Sequence, residues 1–166
     1  MKYVLIIALV TLFVISSCTK EPVKDVRINI DFNFDWKFQL ATDTGVSGQI
    51  PRYDGDWREV RLPHDWSVEM SFDSTLEGCT GYLPGGVGWY QKHFVLTEGS
   101  EDKLTYVLFD GVYNNAQFWL NGNKLGENPY GYSPVYFDLT PHLNPAPEEN
   151  ILTVYVDHSR YADSRW

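Results

Sequence analysis

The chain has 166 residues, 43% of them hydrophobic and 21% charged, enough apolar material for one packed domain and too much for general disorder. Its formal net charge of −9 would repel phosphate backbones and so excludes nucleic acid as a partner. Aromatic residues reach 16%, with six Trp and eleven Tyr, and each ring can either fill a core or offer a flat face to the C–H face of a pyranose.

Met1 to Ser17 carries one charge, Lys2, and an apolar run from Tyr3 to Ile15 that closes on Ser16-Ser17-Cys18. The run is too short to span a bilayer comfortably and ends in small residues, the pattern of an export signal rather than a transmembrane helix. Val14-Ile15-Ser16-Ser17-Cys18 resembles a bacterial lipobox. The resemblance implies loss of residues 1–17, lipidation of Cys18 as the new N-terminus and a lipidated tether over 18–27. An ordinary signal peptide before an unmodified Cys is the other reading. Three acyl chains would hold the mature protein on a membrane, each buried methylene contributing about 0.8 kcal/mol. Thr19 after the Cys, in place of Asp, implies the outer membrane, on its periplasmic face or at the cell surface.

The fold is expected to begin at Ile28. Ile28, Ile30 and Phe32 alternate with polar residues, and after a shift so do Phe34, Trp36, Phe38 and Leu40, giving one long bent strand or two short ones. Ala41 to Asp56, rich in Gly, Thr and Ser, reads as a surface loop. Trp57 to Leu62 resumes the alternation before Pro63-His64-Asp65-Trp66. His64 beside Asp65 suggests acid–base work, but no Gly-x-Ser-x-Gly elbow occurs in the chain to supply a nucleophile, and a structural role is favoured. Ser67 to Gly88 is a glycine-rich loop; a phosphate loop would need a following helix, and Trp89-Tyr90 opens a strand instead. Cys79 is the only Cys besides Cys18, so acylation of Cys18 leaves no disulfide. The four His, at 64, 93, 142 and 158, lack metal-ligand spacing.

From Lys103 to Val156 the period is two throughout. Leu104, Tyr106 and Leu108 share one face of a strand and Thr105, Val107 and Phe109 the other, until Asp110-Gly111 breaks it. Ala116 to Leu120 runs into Asn121-Gly122, the dipeptide best able to supply the positive φ angles of a tight hairpin turn. Tyr136 to Leu139 and Ile151 to Val156 make two more strands, the latter with Leu152, Val154 and Val156 on its buried face. An all-β sandwich of about eight strands follows, with no helix longer than about two turns. The inward residues are expected to include Trp36, Phe38, Trp89, Phe94, Leu108, Phe118, Leu120, Leu152 and Val154.

Five words, VRLPHDW (60–66), GGVGWYQKHF (85–94), LFDGVYNNAQFWLNGNKLG (108–126), GYSPVYFDLT (131–140) and NILTVYVDHS (150–159), together resemble the N-terminal sugar-binding domain of glycoside hydrolase family 2, the β-galactosidase and β-glucuronidase group. The resemblance implies a galactose-binding-like jelly-roll sandwich over 28–166 that lacks its last strand, with LPHDW as a packing corner beside the sheet. It places the catalytic acid and nucleophile, both Glu, on a later barrel domain, so that no catalytic residue lies in this chain. Asp157, at the strand end in VDHS, matches a family Asp that touches sugar hydroxyls and helps hold a cation; a plain strand-end cap is the other role open to it. No metal site or cofactor is expected in this chain, and a monovalent or divalent cation is expected in the full-length enzyme. The implied partners are a carbohydrate substrate, β-galactoside or related, the C-terminal domains of the same chain, and the membrane through its lipid anchor. The function so implied is the front of a β-galactosidase-like enzyme hydrolysing terminal β-linked sugars in carbohydrate catabolism. A free-standing carbohydrate-binding lipoprotein and a structural cell-surface domain are the alternatives.

Overall fold

The computed structural model describes residues 27–41, 50, 56–100 and 102–159, so the export signal, Cys18 and most of the tether lie outside the described residues. The chain divides into two compact units, Met1–Phe32 and Asn33–Trp166. In the first, residues 27–32 carry no strand and Ile28 and Ile30 are exposed, so the alternation at 28–32 does not make the strand expected of it. The second unit holds eight strands among the described residues: β1 Trp36–Leu40, β2 Arg58–Val60, β3 Val87–Val95, β4 Tyr106–Phe109, β5 Ala116–Leu120, β6 Asn123–Asn128, β7 Val135–Asp138 and β8 Glu149–Asp157. Three short 3-10 turns, at Ser67–Glu69, Gly78–Thr80 and Thr140–His142, are the only helical pieces described.

All strand pairs among the described residues are antiparallel. One sheet runs β2-β1-β3-β8-β5-β6 and the second is β4-β7. The pairing Tyr90↔Val154, with Phe38 opposite Tyr90 and Phe118 opposite Val154, puts these four side chains on one face of the large sheet. The small sheet covers that face: Phe118 lies between Phe109 and Phe137, with ring centroids 4.9 and 4.6 Å away, and Trp36 meets Phe109 edge-on at 6.3 Å. The fold is the jelly-roll sandwich that the sequence implies. Asn121 and Gly122 adopt φ of 50° and 81°, the mirror-image turn required to join β5 to β6.

Two expected core positions are corrected. Leu108 is 62% exposed, and Val107 is the buried residue of β4. Both faces of that strand are apolar, so the period was visible and its phase was not; the pairs Val107↔Phe137 and Leu108↔Tyr136 set Val107 and Phe137 inward and turn Leu108 and Tyr136 out. Phe94 is only half-buried, near the end of β3. Trp89 is buried as expected, but on the other face of the large sheet, where Val87, Trp89, Trp119 and Tyr155 form a second apolar cluster. Ala41, Ile50 and Trp57 pack against it. Ala41 and Ile50, from the segment read as a surface loop, thus pack against the sheet.

LPHDW is a packing corner. Trp66 stacks on Phe38, with ring centroids 5.6 Å apart and planes 21° from parallel. His64 is held by Nδ1 2.7 Å from the Tyr90 hydroxyl and Nε2 3.3 Å from Glu69, while Glu69 also pairs with Arg58. Asp65 accepts the Ser67 N–H at 2.9 Å, and among the described residues no hydrogen bond joins it to His64. Burial, with the charge of Asp65 second, pushes the Tyr90 phenol well above the usual tyrosine range and keeps it protonated.

Candidate functional site

The strand-end Asp157 organises one end of the large sheet. There β3 begins, β8 ends, β5 begins and β6 ends, as the pairs Val87↔Asp157, Gln117↔Tyr155 and Ala116↔Asn128 require. Four connecting segments therefore converge: 84–86, 111–115, 129–132 and 157–159. The main chain ties them together. The His158 N–H donates to the Gly86 carbonyl at 2.8 Å, the Asp157 N–H to the Asn114 carbonyl at 3.1 Å, and the Asn115 N–H to the Pro129 carbonyl at 3.5 Å.

Two glycines make this convergence possible. A Cβ at Gly85 would overlap the His158 carbonyl oxygen, and one at Gly131 would overlap the Tyr113 ring and stand 2.6 Å from its Cα. Backbone approaches of this kind tolerate no side chain. The glycines that the sequence shows only as loop freedom are here contact surfaces.

Asp157 is half-buried, and its Oδ1 accepts the Ser159 N–H at 2.8 Å. This is the cap at the strand end, and it does not exclude sugar binding, because a carboxylate has several acceptor positions. Its charge, after burial, raises the pKa of the neighbouring Tyr155 phenol. Around it stand residues that sequence reasoning did not single out. Tyr113 packs edge-on to the His158 ring at 5.2 Å and against Tyr132 at 5.2 Å, and Tyr132 meets Tyr130 at 5.7 Å. His158 in turn meets Trp66 at 6.1 Å. Asn114 Oδ1 and Trp66 Nε1 are buried and have no hydrogen-bond partner among the described residues. The signal for this cluster was the word Asn-Pro-Tyr-Gly-Tyr-Ser-Pro, 128–134, in which rings alternate with turn residues in a way that no strand face requires.

A cation would find a poor site in these residues alone. Among the described residues no three His, Cys, Asp or Glu side chains gather as a metal site, and Asp157 is the single carboxylate of the four converging segments. Cys79, exposed, lies 3.6 Å by its Sγ from Glu77 and takes no part. The arrangement offers a carboxylate, an imidazole, an amide and exposed phenol rings, which suits polyol recognition: hydroxyls donate to the carboxylate while apolar C–H faces meet rings.

Relatives share this frame. Residues 32–166 match the sugar binding domain of the glycosyl hydrolases family 2. A β-galactosidase of Bacteroides ovatus is 41% identical over 92% of this chain, and a putative β-glucuronidase of Formosa agariphila 38% identical over 84%. The chain spans 18% and 13% of the lengths of those two proteins. Among solved structures, a β-glycosidase from Bacteroides vulgatus superposes with a TM-score of 0.69 at 36% identity, over 82% of this chain and 18% of that one. A family 2 β-glucuronidase does so with a TM-score of 0.65 at 32% identity, over 79% of this chain and 14% of its own. The chain belongs to glycoside hydrolase family 2, as a jelly-roll sugar-binding domain of that family.

Proposed function

We propose that this domain serves a β-galactosidase anchored by lipid to the outer membrane, and that Asp157 accepts hydrogen bonds from hydroxyls of the terminal sugar. The observation that carries the reading is the position of Asp157 at the end of β8, where its N–H bonds the Asn114 carbonyl and the segments that carry His158 and Tyr113 converge. Galactose is favoured among the sugars by the 41% identity to a β-galactosidase. On this reading the two carboxylates that a glycosidase needs to flank the scissile bond lie outside these 166 residues, which span 18% of the length of the similar β-galactosidase. A cation, if the complete enzyme holds one, takes further ligands from there. The domain's part is binding energy: hydrogen bonds to sugar hydroxyls that hold the ring for chemistry done elsewhere.

The test uses the full product of the gene. Nitrophenyl β-D-galactoside is expected to be hydrolysed faster than the β-D-glucuronide, and the 166-residue chain alone is expected to hydrolyse neither; reversed preference overturns the choice of sugar. Asp157→Asn, which can still accept from Ser159, is expected to lower kcat/KM about 10- to 100-fold, the worth of one charged hydrogen bond of about 1.5–3 kcal/mol. Unchanged kinetics would leave Asp157 as a cap alone. Sugar binding by the full product without turnover of any glycoside would favour the free-standing binder. For the anchor, Cys18→Ser is expected to move the protein from the detergent phase into the aqueous phase, and unchanged partitioning would remove the lipid from the proposal.

A further inference from the structure

We propose that the exposed rings Tyr132 and Tyr130, buttressed by Tyr113, form a ledge that stacks a second sugar ring, the one linked to the sugar that Asp157 holds. The domain would then recognise a β-linked oligosaccharide rather than a single glycosyl unit. The inference rests on the Asp157 reading and adds to it the substrate's second residue.

Four ring contacts form a continuous series: Trp66 to His158 at 6.1 Å, His158 to Tyr113 at 5.2 Å, Tyr113 to Tyr132 at 5.2 Å and Tyr132 to Tyr130 at 5.7 Å. Exposure rises along it. Trp66 is 5% exposed, Tyr113 37%, Tyr130 60% and Tyr132 75%. The buried end is anchored in the core, and the outer end is held edge-on by its neighbours. With three quarters of its surface in the open, Tyr132 keeps a ring face uncovered. Rings filling a core would be buried, and isolated surface tyrosines would not touch one another; this series does neither.

The series leads away from Asp157. His158 follows it directly, and Tyr113 precedes Asn114, whose carbonyl accepts the Asp157 N–H. A sugar bound at Asp157 would thus sit at the same end of the sheet as Tyr113, and its linked neighbour would lie over Tyr132. Tyrosine is well suited to such stacking, because its ring is rigid, with few torsions to freeze, and its apolar face matches the C–H face of a pyranose while the hydroxyl stays in water. Gly131, between the two outer rings, has no side chain to lift them off Tyr113, and none fits there.

The experiment compares two substrates in the full gene product. Methyl β-D-galactoside carries no second ring, and lactose does. Tyr132→Ala and the Tyr130→Ala/Tyr132→Ala pair are expected to lower kcat/KM, or affinity if the product only binds, about tenfold for lactose and less than about twofold for the methyl glycoside. Tyr132→Phe, which keeps the ring, is expected to restore lactose. Asp157→Asn should lower both substrates alike. If Asp157→Asn leaves both unchanged, the underlying sugar-site reading fails; if it lowers both while the tyrosine variants affect neither or both equally, the ledge fails by itself. A tyrosine variant that alters the melt or the oligomeric state with no change in substrate selectivity would assign these rings to a protein contact and overturn the proposal.

Discussion

The two ends of β8 are built from similar residues and used differently. At its start, Asn150 is fully buried, and its Oδ1 accepts from Asn121 Nδ2 at 2.8 Å and from the Asn144 N–H at 2.7 Å while its Nδ2 donates to the Asn144 carbonyl at 3.1 Å. Asn121 completes the lock by accepting the Ile151 N–H and donating to the His142 carbonyl, each at 2.8 Å. Each of those polar groups is paired. At the other end Asn114 Oδ1 is buried without a partner among the described residues, and two tyrosines stand in the open. An unmet acceptor and exposed rings lower stability and are what a ligand can use. One end closes the fold, and the other carries the features on which the proposed site rests.

The largest expected effect lies at the closed end. Asn150→Ala removes three hydrogen bonds, leaving the Asn144 N–H without its acceptor and Asn121 Nδ2 with only the His142 carbonyl, so a loss of about 3 kcal/mol is expected. Chemical denaturation followed by tryptophan fluorescence measures it. A loss below about 1 kcal/mol would show that the lock contributes little and would dissolve the contrast between the ends.

Gly131→Ala carries a smaller cost and crosses the contrast. The new Cβ meets Tyr113 backbone and ring, so the 129–132 segment must shift, at about 1–3 kcal/mol. Because the displaced segment carries Tyr130 and Tyr132, lactose selectivity should fall together with stability. Loss of stability without loss of selectivity would separate the segment from the site.

Alkaline pH tests the corner between the ends. The folded-state pKa of Tyr90 is raised by burial, so the unfolded chain loses this proton first, near pH 10, while the native one keeps it. The unfolded state then binds fewer protons, and stability falls as pH rises above about 10, by up to about 1.4 kcal/mol per pH unit from this group. Below about pH 10 the group adds no slope. Tyr90→Phe should flatten the decline, at the cost of the bond to His64; an unchanged slope would place the alkaline limit elsewhere.

The closed end was the more legible in sequence. Asn121-Gly122 announces a tight turn, so the hairpin of β5 and β6 follows from turn chemistry, and β8 follows from the period-two run Leu152, Val154 and Val156. Legibility failed where both faces of a strand are apolar. In β4, Leu108 and Val107 are equally plausible core residues, and only pairing with β7 decides between them. Trp89 failed in a related way: the large sheet buries both faces, so period two cannot say which core a ring joins. At 28–32 the alternation makes no strand, because period two alone does not fix strand pairing. At the open end, Asp157 was legible only through resemblance. The tyrosines were not, since a ring in a turn-rich word reads the same whether it is packed or presented.

The smallest expected effect is the one that most sharpens the contrast. Tyr132→Ala deletes a large side chain, and a fully buried aromatic would lose about 3–5 kcal/mol on such truncation. Here 75% of the residue is already in water, and the ring contacts described for it are those with Tyr113 and Tyr130, which are themselves 37% and 60% exposed. Little apolar area returns to solvent, no cavity forms, and a change within about 0.5 kcal/mol is expected by denaturation. Taken with an expected tenfold loss on lactose, that would make Tyr132 a residue whose worth lies in binding and hardly in folding, the reverse of Asn150. A loss above about 2 kcal/mol would mean that the ring packs as core does, and it would move this end of β8 into the same class as the other.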